Sequence, residues 1–185
     1  MSRRTSTILR CVDRTVTSPL VVLVGAPGSG KSTVGSALAR RWNVDFRDTD
    51  ADIERTSGRT VADIFVDDGE QAFRKLEREA VAAALVEHNG VVALGGGAIT
   101  SDEVRGLLAG YRVVWLQVGL ATAAARVGLN RDRPLLVGSV RNTLLRLMQE
   151  RAPWYESVAA FSVETDDRSV ESIVDQILAA LGDVG

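Results

Sequence analysis

Leu20-Val21-Val22-Leu23-Val24-Gly25-Ala26-Pro27-Gly28-Ser29-Gly30-Lys31-Ser32-Thr33 decides how the rest of this chain is read. The opening run of aliphatic residues predicts a buried strand. Gly25 to Ser32 then match G-x-x-x-x-G-K-[ST], a phosphate-binding loop that leads into a helix. Glycine lets the backbone turn sharply enough for several N–H groups to converge on one anion. Lys31 supplies a flexible point charge for the outer phosphates, and the Ser32 hydroxyl is a hard oxygen ligand for Mg²⁺. The helix that follows, with Val34, Leu38 and Trp42 on one face, adds its positive N-terminal end. At average residue usage, chance places this pattern in roughly one chain of this length in several hundred. The strand–loop–helix setting is the context the motif requires. Gly28, Ser29, Gly30, Lys31, Ser32 and Thr33 therefore predict a bound nucleoside triphosphate, with Mg²⁺ at Ser32.

Outward from this loop, apolar runs alternate with helical periods. Strands are expected over residues 20–24, 44–47, 91–94, 112–118 and 160–164. Helices are expected over 31–42, 51–56, 70–87, 120–127, 140–151 and on towards Tyr155, and 169–181. Capping boxes at Thr60–Asp63 and Thr100–Glu103 mark two more helix starts, the second running to Leu108. Strands apolar on both faces, separated by helices, predict an α/β fold with three α/β/α layers around a parallel sheet. In such folds the ligand crevice lies at the carboxyl ends of the strands. The phosphate loop, Asp48/Asp50 and Gly95-Gly96-Gly97 all fall at such ends.

Length and composition narrow the function classes. The 185 residues suit one domain, expected over 20–182, with 1–19 a disordered polar tail. The net charge of −2 gives no basic field for nucleic acid. The single cysteine, Cys11, excludes an internal disulfide framework and fits a reducing cytoplasm. No apolar run approaches a membrane span, and the tail has no secretory core.

Asp48-Thr49-Asp50 ends the second predicted strand. On an extended segment the two carboxylates point to one side. One can support Mg²⁺ and the other can accept the proton of an attacking hydroxyl. Three glycines, Gly95 to Gly97, suit close backbone approach to a ligand. Residues 128–139 read as a lid flanked by glycines, with Arg131 and Arg133 able to meet a transferring phosphoryl group. Read alone, Arg74 and Arg151 are ordinary helix charges, although arginine suits bidentate capture of a carboxylate. His88 reads as a helix end, and Trp42, Trp115 and Trp154 as packing residues.

The set Gly25–Thr33, Asp48-Thr49-Asp50, Phe73-Arg74, Gly95-Gly96-Gly97, Arg133-Pro134-Leu135-Leu136 and Arg151-Ala152-Pro153-Trp154-Tyr155 resembles the shikimate kinases in order and spacing, from Leu20 to about Leu181. The resemblance implies a nucleoside-monophosphate-kinase-like P-loop fold with a five-stranded sheet in the order 2-3-1-4-5. It implies transfer of the γ-phosphoryl group of ATP to the 3-hydroxyl of shikimate with Mg²⁺, by a cytoplasmic monomer acting on small molecules. It implies Lys31 on the phosphates, and Ser32 and Asp48 on the metal. Asp50 would bind shikimate hydroxyls and serve as base, with Arg74 and Arg151 on the carboxylate. Gly95, Gly96 and Gly97 would lie against the substrate, Phe65 and Phe73 would wall the pocket, and Arg133 would be the lid arginine. Arg126 and Arg168 would flank adenine. Val170 stands where some relatives have proline, and residues 138–142 form a stretch about one residue shorter than in close relatives. Another small-metabolite kinase, such as a gluconate kinase, would share the loop without needing paired arginines. A GTP switch would carry Asn-Lys-x-Asp, which this sequence lacks.

Overall fold

The computed structural model describes residues 18–128 and 134–182. Five parallel strands form one sheet in the order β2-β3-β1-β4-β5, as the resemblance implies. They are β1 (Val21–Val24), β2 (Phe46–Asp48), β3 (Val91–Ala93), β4 (Val113–Gln117) and β5 (Phe161–Glu164). β1 is central, paired to β3 through Val22↔Val92 and to β4 through Val22↔Val113.

The aliphatic run of β1 is explained by its two faces. Val21 and Leu23 pack with α1 (Lys31–Trp42) and α8 (Val170–Leu181) in one core. Val22 and Val24 pack in a second core with α4 (Gly69–Glu87), α5 (Asp102–Leu107) and α7 (Pro134–Val158). All four are buried, each contributing about 1.5–3 kcal/mol of apolar transfer energy. A third, smaller cluster of Ile53, Ile64 and Phe73 joins α2 (Thr49–Ser57) and α3 (Val61–Asp67) to α4. α6 (Leu120–Arg126) follows β4 and packs on α7 through Ala123, Ala124 and Leu144.

Several local expectations are corrected. Helix α2 begins at Thr49, not after Asp50, so the acidic pair does not lie on an extended segment. Asp48 alone is extended, and its carboxylate caps the helix by accepting from the Asp50 N–H. The capping box at Thr60–Asp63 is present. The second start is shifted: Ser101, not Thr100, caps α5, because the Thr100 hydroxyl closes a 3₁₀ turn over Ala98–Thr100 by donating to the Gly97 carbonyl. Helix α7 starts at Pro134, which is suited to a first helical position, so residues 134–139 are helix rather than irregular connection. The remainder of the expected lid, residues 129–133 with Arg133, lies outside the described residues, as do residues 1–17.

Candidate active site

The phosphate loop runs from β1 into α1. Gly28 and Gly30 have φ of 78° and 89°, left-handed values that favour glycine. A Cβ at Gly28 would lie 2.8 Å from the Ala123 carbonyl oxygen, so the loop is also sterically closed against α6. Gly30 caps α1 without a side-chain acceptor, which leaves the N–H groups of the first turn available to an anion. The Lys31 ammonium donates to the carbonyl oxygens of Gly25 at 2.8 Å and Ala26 at 3.1 Å. Burial lowers its pKa to about 8, against the attraction of Asp50 and Asp48.

Asp48 ties the start of α1 to the start of α2. Its Oδ2 accepts from the Ser32 hydroxyl at 2.7 Å, and its Oδ1 accepts from the Asp50 N–H at 3.0 Å. Asp50 therefore sits in the first turn of α2, with its carboxyl over Gly95. A Cβ at Gly95 would collide with Asp50 Oδ1 and come within 2.8 Å of Glu77 Oε1. Burial, then the charges of Asp48 and Glu77, push the Asp50 carboxyl up to about 6, with Lys31 opposing. That value suits a base working near neutral pH.

The Gly95–Gly97 turn after β3 is where the remaining groups meet. The Gly95 N–H donates to the buried Thr49 hydroxyl at 3.0 Å. A Cβ at Gly96 would meet Pro27 of the phosphate loop at 3.0 Å. A Cβ at Gly97 would overlap the Arg74 guanidinium. Arg151 donates to the Gly96 carbonyl at 2.9 Å. Arg74 and Arg151 thus flank one turn, on the same side of the sheet end as the loop that carries Lys31. Arg74 also lies over the rings of Phe65 and Phe73, 5.8 and 5.5 Å from their centroids, and those rings are 4.5 Å apart.

Arg126 binds the Gly28 carbonyl at 3.1 Å and the Thr165 carbonyl at 3.0 Å, joining the phosphate loop to the end of β5. Arg168 turns instead to α8, donating to the Ser172 hydroxyl at 2.8 Å and to Gln176. His88 ends α4 near the amino end of β3, with a ring nitrogen 3.1 Å from the Asp45 carbonyl oxygen, remote from the loop.

One residue escaped the sequence reading. Glu77 is 2 % exposed and accepts from Arg74 at 2.6 Å. Burial raises its pKa, with Arg74 and Arg151 opposing. The signal was present in the helical period: Glu77 lies on the stripe of Phe73, Val81 and Ala84, where an apolar residue is expected.

A model of the family described as Shikimate kinase matches residues 27–182. The chain belongs to the shikimate kinase family. It is 58% identical to the shikimate kinase of Frankia casuarinae over 88% of this chain and 72% of that one. It is 56% identical to that of Thermobifida fusca, over 89% of this chain and 98% of the relative. A solved structure of shikimate kinase from Acinetobacter baumannii in complex with shikimate superposes with a TM-score of 0.81 at 34% identity, covering 89% of this chain and 93% of that one. The present chain is a phosphotransferase of the P-loop kinase fold, and shikimate kinase is the activity of its family.

Proposed function

We propose that the enzyme transfers the γ-phosphoryl group of ATP to the 3-hydroxyl of shikimate. The observation that carries this reading is the convergence on one glycine turn: Asp50 over Gly95, Arg151 on the Gly96 carbonyl, and Arg74 over Gly97, all beside the phosphate loop. Two guanidinium groups flanking a turn fit a carboxylate, and a buried carboxyl beside Lys31 fits a hydroxyl that must lose its proton.

On this reading the N–H groups of Gly28 to Thr33 and the Lys31 ammonium cradle the phosphates. Arg74 and Arg151 hold the shikimate carboxylate, Phe65 and Phe73 close one wall, and Gly95 to Gly97 allow the ring to approach the backbone. Asp50 orients the acceptor hydroxyl and takes its proton. Arg133 offsets charge on the transferring group, and Arg126 and Arg168 border adenine. The hydroxyl of Ser32 and the carboxylate of Asp48, hydrogen-bonded to each other, form a hard oxygen pair that fits Mg²⁺. Among the described residues no cluster of three His, Cys, Asp or Glu would hold a metal alone, so phosphate oxygens and water would complete its shell. Mg²⁺ held there would neutralise phosphate charge.

Small-molecule substrates, a cytoplasmic setting and a monomeric state complete the proposal. The net charge of −2 supports an enzyme that does not engage nucleic acid. No helix of the described residues is long and apolar enough to cross a membrane. A coupled ATP-consumption assay across shikimate, gluconate and nucleoside monophosphates tests the substrate. Turnover is expected with shikimate alone and is abolished by chelating Mg²⁺; equal turnover with gluconate would overturn the assignment.

A further inference from the structure

Tyr155 closes the Arg151-Ala152-Pro153-Trp154-Tyr155 segment, yet nothing in the reaction above uses it. It is 2 % exposed, among the largest fully buried side chains, and stacked on Trp115 with centroids 5.7 Å apart and planes 20° from parallel. A buried phenol needs an acceptor. Its hydroxyl donates to the Gly96 carbonyl at 2.7 Å, the same oxygen that takes Arg151 at 2.9 Å. That oxygen has two lone pairs, and α7 supplies a donor for each.

The consequence follows from peptide geometry. In a trans peptide the C=O and the next N–H point in opposite directions within one plane. Pinning the Gly96 carbonyl to α7 therefore aims the Gly97 N–H away from α7. Gly97 lies directly beneath the Arg74 guanidinium, where a Cβ would collide with it. Among the described residues neither the Gly96 N–H nor the Gly97 N–H donates to another protein group. The Gly97 N–H is thus held as a donor beside Arg74, with Arg151 anchored to the preceding carbonyl.

We propose that Tyr155 is a positioning residue for the acceptor substrate: its hydroxyl fixes the Gly96–Gly97 peptide and with it the array of Arg74, Arg151 and the Gly97 N–H that faces the shikimate carboxylate. The inference rests on the shikimate reading and adds the residue that sets the array. The pair of donors also makes the array rigid. Arg151 alone could swing off a carbonyl to follow a ligand, whereas the ring of Tyr155, held by Trp115, cannot.

Steady-state kinetics of Tyr155→Phe test this, because only the oxygen is removed and the packed ring remains. Losing one buried neutral hydrogen bond should raise the KM for shikimate about three- to tenfold, with the KM for ATP within about twofold of wild type. Tyr111→Phe is the control, since the Tyr111 hydroxyl donates to the Leu85 carbonyl at 3.3 Å, away from the acceptor groups. It should leave both KM values in place. A second reading needs no variant: in isotope-labelled wild-type protein the Gly97 amide resonance should move on adding shikimate alone. An unchanged KM for shikimate, a joint rise in both KM values, or a Gly97 amide indifferent to shikimate would overturn the proposal. A wild-type enzyme inert towards shikimate would instead sink the substrate assignment beneath it.

Discussion

Replacing Asp50 by asparagine should make the nucleotide-free protein more stable while destroying its activity. The Asp50 carboxyl is pushed from the ordinary 3.8 to about 6, chiefly by burial and then by Asp48 and Glu77. At 1.36 kcal/mol per pH unit, that corresponds to about 3 kcal/mol of destabilisation when the group is ionised. The sign follows from linkage. The folded state binds this proton more tightly than the unfolded state, so stability is intact below 3.8 and is lost as pH rises through 6. The asparagine amide cannot ionise and escapes the loss. The attraction of Lys31 is already contained in that value, so about 3 kcal/mol is the net figure. For a domain of this size it corresponds to a rise in Tm of roughly 6–10 °C at pH 8. At pH 4.5 the difference should shrink to about 1 kcal/mol. The assay is thermal unfolding of both proteins in chelator without nucleotide, at the two pH values. Turnover with shikimate should fall about 10²–10⁴-fold. A variant that is no more stable than wild type at pH 8 would show that attraction to Lys31 outweighs burial, and would refute the reasoning.

Lys31→Ala should lower turnover by about 10²–10³, the scale of losing one transition-state donor; a two- or threefold loss would remove Lys31 from the mechanism. Arg74→Ala should raise the KM for shikimate far more than that for ATP, and equal effects on both would show that the arginine is no carboxylate clamp. Gly97→Ala introduces a methyl into the space of the Arg74 guanidinium, so it should mimic Arg74→Ala in the shikimate KM, by about tenfold or more, without moving the KM for ATP. Shikimate titrations at fixed ATP check both, and an unaltered Gly97→Ala enzyme would mean that Arg74 moves aside at no cost.

The sequence was most legible where local chemistry and tertiary context agree. The phosphate loop and α1 satisfy a motif, a strand and a helical period together, and their bounds were read correctly. The two-faced burial of β1 and β3 was visible as unbroken apolar runs. The sheet order came from family resemblance, because spatial order depends on long-range pairing that no local pattern encodes. The acidic segment misled for a specific reason. Asp48 ends a strand and caps a helix at once, and the helix won the register of Thr49 and Asp50 with the Asp50 N–H donating to the Asp48 carboxylate. Thr100 and Ser101 are equally good caps in composition, and a tertiary turn chose between them. Glu77 was hidden because its partner Arg74 is three positions earlier, a spacing that reads as an ordinary surface pair until burial is known.

The division of the apolar interior into separate clusters has a mechanical result. The nucleotide end hangs from a strand laddered on both edges, in the part of the domain where opening is most costly. Helices α2 and α3, which carry Asp50 and Phe65, lean on a separate handful of side chains around Ile53, Ile64 and Phe73. On the proposed function this makes an anvil and a jaw: opening of α2 and α3 is expected to cost less than opening of the strand that carries the phosphate loop.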